Sequence, residues 1–141
     1  MKRFKLSSFR PAESGIRKAL GDLEADIMEL MWQRDIASVR EIHKALKMDR
    51  DIAYTTVMTV MSRLSNKGIL QKERDGKHYL YKPAVSKEEF SQTMFSSMVG
   101  GFKADLGSQA LSFFVESLTE DEETLGELER LIQEKRKRIK E

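Results

Sequence analysis

A chain of 141 residues, 40% hydrophobic and 34% charged, has room for one or two small domains built largely of helix. Zero cysteines exclude a disulfide framework and a thiolate metal site, no run approaches the roughly 18 apolar residues of a membrane span, and the N-terminal MKRFKLSSFRPAESG lacks the apolar core of a secretory signal, so a cytoplasmic protein without direct membrane insertion is expected. Residues 1–87 hold 18 Lys and Arg against 11 Asp and Glu, a net +7, whereas residues 88–141 hold 7 against 12, a net −5; the basic part is the one suited to a polyanion.

Residues 1–19 show no sustained period and contain Pro11 and Gly15. They are expected to form a basic N-terminal arm, whose Lys2, Arg3, Lys5, Arg10, Arg17 and Lys18 either touch phosphates or form a solvated tail. Asp22 then stands where a helix N-cap should be, and Leu23, Ile27, Leu30 and Met31 recur as one helical stripe. Trp32, near the end of that helix, belongs in the core or against a hairpin. Ser38-Val39-Arg40-Glu41 is an S-x-x-E capping box that opens a helix of about ten residues, with Val39, Ile42, Ala45 and Leu46 apolar. So short a helix must pack to persist.

After the turn-forming KMDRD, a third helix is expected over residues 52–66. At about 100° per residue, Val57, Val60, Met61 and Leu64 share its inner face, while Thr55, Thr56, Thr59, Ser62, Arg63 and Asn66 share the outer one. A merely solvated face usually carries Glu and Lys, which favour helix where Thr and Ser do not. Short hydroxyls beside an Arg allow close approach to phosphates and base edges. Lys67-Gly68 supplies a stop with a C′ glycine. Two short strands then flank Asp75-Gly76, a favoured type I′ pair. Arg74, Lys77 and Lys82 are candidate phosphate contacts on this hairpin. Helix, turn, helix and charged hairpin in this order describe a winged helix-turn-helix over residues 20–83, with helix 52–66 in the major groove of DNA.

Residues 84–141 are expected to form a helical dimerisation domain. Ser86-Lys87-Glu88-Glu89 is a second capping box, and a helix bearing Phe90, Met94, Phe95 and Met98 should break or kink at Gly100-Gly101. A further helix over residues 102–117 carries Leu106, Ala110, Phe113 and Phe114. Thr119-Glu120-Asp121-Glu122 should cap a last one with Leu125, Leu128, Leu131, Ile132 and Ile139. About 55 residues would struggle to hide so many large apolar side chains alone. Helix exchange with a second copy is the economical solution, with Phe102, Leu106, Phe113, Phe114, Leu125, Leu128, Leu131 and Ile132 in the interface.

The stretch from Leu20 to Pro83 resembles the penicillinase-repressor (BlaI/MecI) family of bacterial winged-helix regulators. The residues that carry the likeness are Leu23-Glu24-Ala25-Asp26-Ile27-Met28 with Trp32, Ser38-Val39-Arg40-Glu41-Ile42, Ala53-Tyr54-Thr55-Thr56-Val57 with Met61 and Arg63-Leu64, Lys67-Gly68-Ile69-Leu70, and Tyr79, Tyr81 and Pro83. A fainter likeness continues through Ser86 to Phe90, Gly100-Gly101-Phe102 and Phe114-Val115-Glu116. The resemblance implies a homodimeric repressor whose winged helices read a two-fold-related operator in double-stranded DNA and whose C-terminal helices make the dimer. In β-lactam-responsive members it also implies a partner, a membrane-bound sensor metalloprotease that triggers cleavage in the C-terminal helices. The corresponding bond here is Phe113–Phe114, with Phe113 where the family's cleavage site has Asn. A copper-sensing branch relies on C-terminal cysteines, which this chain lacks.

Enzyme readings find no purchase. There is no P-loop, no G-x-G-x-x-G after a strand, no H-E-x-x-H and no G-x-S-x-G, so no catalytic residue, cofactor or metal is expected. His43 and His78 stand singly, Tyr54 at the edge of the inner face is expected to pack, and the eight Met residues are expected to fill core gaps. The rival reading is a winged helix that grips a protein partner through Thr55, Thr56 and Arg63, without sequence-specific DNA binding.

Overall fold

The computed structural model describes residues 15–118 and 121–141. Lys2, Arg3, Lys5, Arg10, Thr119 and Glu120 lie outside the described residues. The chain forms α1 (Gly15–Ala19), α2 (Asp22–Arg34), α3 (Val39–Lys47), α4 (Tyr54–Asn66), strands β1 (Leu70–Asp75) and β2 (His78–Pro83), α5 (Lys87–Leu106), α6 (Gln109–Ser117) and α7 (Glu122–Lys140). It divides into two compact units, the first ending at Phe95 and the second spanning Ser96–Glu141.

The first unit is a winged helix. Its core gathers the inner stripes of three helices: Ile27, Met28 and Met31 from α2, Ile42 from α3, and Val57, Met61 and Leu64 from α4 are all fully buried. Burial of each such side chain contributes about 1.5–3 kcal/mol. Leu70 and Tyr81 extend the core onto the hairpin. There Tyr81 exchanges two backbone hydrogen bonds with Ala37 (3.0 and 2.9 Å), which ties the sheet to the loop before α3. Trp32 donates its Nε1–H to the Val85 carbonyl (3.0 Å), and its ring centre lies 5.8 Å from that of Phe90. Burial of Phe90 is why the first unit runs past Pro83 into the opening turns of α5.

Local signals fix several ends. Ser38 caps α3, accepting from the Glu41 amide (3.2 Å) while its hydroxyl donates to the Glu41 carboxylate (3.2 Å). Gly68 at φ 81 ends α4, with its N–H donating to the Ser65 carbonyl and that of Ile69 to the Leu64 carbonyl, both at 3.0 Å. These are the paired bonds of a Schellman motif. Ser86 accepts from the Glu89 amide (3.0 Å) at the start of α5.

Elsewhere the structure corrects the sequence reading. Residues 15–19 form helix α1, so the arm is not irregular throughout. Gly21, not Asp22, is the N-cap of α2; Asp22 already has its place in the first turn, with its carboxylate 3.8 Å from Arg17. Helix α4 starts at Tyr54 rather than Ile52, because the Ile52 carbonyl is taken by His43 Nε2–H (2.8 Å). The hairpin loop is Gly76-Lys77 between the paired Asp75 and His78. Only Gly76 of the two has positive φ (62°), so the glycine occupies the first central position, as in a type II′ turn, and the expected I′ pairing is shifted by one residue. Helix α5 runs unbroken through Gly100-Gly101. Interior glycines cost helix stability, about 1 kcal/mol each, without forcing a break; the break comes at Gly107, where φ is 60°. Phe102 therefore belongs to α5, not to the next helix. Asp121 caps α7 by accepting from the Glu123 amide (3.1 Å), two residues beyond the expected Thr119. Met28, Met31 and Met61 do fill the core, but Met48, Met58 and Met98 are exposed.

The second unit has no buried side chain in α6 or α7. Its last helix is acidic in the first turn (Glu122, Glu123) and basic in the last (Lys137, Arg138, Lys140), which suits the helix dipole. No helix of the described residues is long and apolar enough to cross a membrane.

Candidate nucleic-acid interface

Helix α4 is held from three sides. Val57, Val60, Met61 and Leu64 face the core. At its N-terminal end His43 grips the Ile52 carbonyl and meets the Tyr54 ring edge-on, with ring centres 5.7 Å apart. At its C-terminal end Lys67 reaches both carboxylate oxygens of the buried Glu24 on α2 (3.0 and 3.3 Å). The turn between α3 and α4 is anchored as well. Arg50 pairs with Asp26, which also receives Arg17 from α1.

This leaves one face of a fixed rod open. Thr55, Thr56, Thr59 and Arg63 are exposed, as is Asn66; Ser62, expected beside them, is half-buried. Thr59 donates its hydroxyl proton to the Thr55 carbonyl (2.9 Å), so its oxygen remains as an acceptor. The helix contains no acidic residue. Met58 is 44% exposed and flanks the strip; Tyr54, expected to pack, does rest on His43 yet keeps 45% of its surface.

Strand register sorts the wing cations. Directly paired residues share a face, so Lys72 and Arg74 lie with Tyr81 and Tyr79, whereas Lys82 lies with Gln71 on the other face. Arg74 donates Nε–H to the Gly76 carbonyl (3.1 Å) and stays exposed near the tip, where Lys77 is also exposed. Lys82 is near the base of the hairpin, 2.5 Å from the Glu73 carboxylate. Sequence reasoning passed over Lys72, whose ammonium sits 4.0 Å above the Tyr79 ring. The i to i+2 alternation of the strand could have shown it beside Arg74, but its stacking partner comes from the opposite strand.

Of the residues expected at a dimer interface, Phe102, Leu106, Phe113, Phe114, Leu131 and Ile132 are exposed and Leu125 and Leu128 half-buried. The Phe113–Phe114 bond lies inside α6. Among the described residues no group of three or more His, Asp or Glu side chains is arranged to hold a metal ion.

Residues 20–134, which span α2 through most of α7, match the family model of the penicillinase repressor. The chain belongs to the penicillinase repressor family. A transcriptional regulator BlaI from Mycobacterium tuberculosis is 39% identical over 106 residues, covering 73% of this chain and 76% of that protein. A penicillinase repressor from Bacillus licheniformis is 25% identical over 123 residues, covering 86% and 95%. Among solved structures, the DNA-binding domain of the repressor BlaI aligns at 24% identity with a TM-score of 0.46, over 50% of this chain and 85% of that one. Every candidate DNA-facing residue of α4 and the wing falls inside the matched range, whereas the arm cations before residue 20 fall outside it.

Proposed function

We propose that this penicillinase-repressor family member is a sequence-specific transcriptional repressor of double-stranded DNA, acting in the cytoplasm as a homodimer on a two-fold-related operator and catalysing no reaction. One observation carries the reading: a core-anchored helix presents Thr55, Thr56, Thr59 and Arg63 outward with no carboxylate in the helix. Helix α4 enters the major groove, with Arg63 positioned for a guanine edge and the threonine methyls for thymine methyls. Ser62 lines the margin of the contact. Arg74 and Lys77 brace the backbone from the wing tip, joined by Lys72 on the Arg74 face; Lys82, already engaged by Glu73, contributes least. The exposed apolar side chains of the second unit, Phe102, Phe113, Phe114, Leu131 and Ile132 foremost, meet a second copy, and the dimer then sets half-site spacing.

Titration of duplex binding against salt tests the reading. Each phosphate contact contributes about −0.9 to the log–log slope. Several contacts therefore predict a steep dependence, and a flat one would transfer α4 to a protein partner instead. Arg63→Ala is expected to weaken specific binding by about 1–3 kcal/mol, the worth of a bidentate base contact.

A further inference from the structure

The cations of the first unit fall into two sets. One set is drawn back onto the fold: Arg17 and Arg50 on Asp26, Lys67 on Glu24, Lys82 on Glu73 and Lys87 on Glu29. The other has no carboxylate against it among the described residues, and outside α4 and the wing it includes Arg40, Lys44 and Lys47 on α3, all exposed.

At i, i+4 and i+7 these three fall within about 60° of one another around the helix. Val39, Ile42 and Leu46 turn the opposite way, into the core. Between the strip and the core lies His43, which holds the residues leading into α4, so the strip borders the N-terminal end of the proposed reading face. Like charges at this spacing repel and weaken a helix. The one acidic residue of α3, Glu41, is occupied at the cap by Ser38 and offers no relief. A favourable interaction with the helix dipole accounts for Lys44 and Lys47 in the last turn. It does not account for Arg40, which sits in the first turn, at the positive end. Asp49 and Asp51, exposed in the following turn, limit the strip to α3.

We propose that Arg40, Lys44 and Lys47 form a phosphate-binding strip that grips the sugar–phosphate backbone of duplex DNA beside the groove entered by α4. The assignment rests on the DNA-binding reading above and adds to it a contact that neither α4 nor the wing supplies. The occupant is a polyanion, whose closely spaced charges can meet three aligned cations at once. It is a duplex backbone because the first helix of a helix-turn-helix crosses the backbone when the second lies in the groove.

The test uses the full chain and a fluorescently labelled random-sequence duplex, since phosphate contacts are independent of sequence. Binding is measured by anisotropy over a range of KCl concentrations. The triple variant Arg40→Gln, Lys44→Gln, Lys47→Gln is expected to lose up to about three units of log–log slope per bound subunit, and Arg40→Gln alone about one. Lys87→Gln, which removes a cation already paired with Glu29, is expected to keep the wild-type slope. A steep wild-type slope that survives the triple substitution and Arg40→Gln would overturn the strip and leave the DNA-binding reading standing. A flat wild-type slope would overturn both.

Discussion

The two units spend similar side chains very differently. Among the described residues every buried hydrophobic one lies between Leu20 and Phe90, and α6 and α7 bury none although they carry Phe113, Phe114, Leu131 and Ile132. Both carry large apolar side chains at helical spacing. In the first unit the stripe of α4 is met by α2, α3 and β1, so Val57, Met61 and Leu64 disappear from solvent. In the second, helices of 9 and 19 residues show equally large apolar side chains to water. An amphipathic stripe demands a partner surface, and periodicity does not say whether the partner belongs to the same chain. The first unit supplies its own, and we assign that role in the second to another copy.

Leu64→Ala tests that contrast hardest. A fully buried leucine truncated to alanine costs about 2–5 kcal/mol, through lost transfer energy and the cavity left behind. The loss should appear in denaturant unfolding at both low and high protein concentration, because the packing is internal. A change below about 1 kcal/mol would show that α4 is not close-packed. Ile132→Asp should behave in the opposite manner. Its side chain is exposed within one chain, so the fold of the first unit should survive. Sedimentation should instead show self-association weakened at least tenfold, about 1.4 kcal/mol. Unaltered dimerisation of this variant and of Phe113→Asp would remove both side chains from the interface.

Legibility in the sequence followed the range of the interaction. The Ser38 cap and the Gly68 stop were readable because each is completed within a few residues of its signal. The two faces of α4 were readable because one period generates both, and the exposure of Thr55, Thr56, Thr59 and Arg63 follows from it. What escaped depends on distant partners. Nothing near Ile52 announces that His43 will take its carbonyl and delay the helix. Nothing near Lys82 announces Glu73 on the neighbouring strand, and Asp26 collects Arg17 and Arg50 from two separate elements. At Gly100-Gly101 the local rule itself misled. Intrinsic glycine cost suggests a break or kink, but it is small enough for the surrounding residues to carry the helix through to Gly107.

The smallest expected effect probes how α7 is held in the absence of burial. Asp121 accepts the Thr124 hydroxyl (2.8 Å) and the Glu123 amide, and those bonds hold its carboxyl below the ordinary value of 3.8, against a weaker opposing effect of desolvation. A carboxyl whose pKa is lowered on folding stabilises fully above its unfolded value, and the contribution fades as pH falls through the lower folded value. Thermal unfolding followed by circular dichroism should therefore show wild type above Asp121→Ala at neutral pH, with the gap narrowing below about pH 4. Glu127, held low by Arg130 on the next turn, titrates in the same direction in both proteins, so the difference between them isolates the cap. A gap that persists unchanged into acid would mean that the Asp121 carboxylate does not hold the helix end, and that α7 owes its start to something other than local capping.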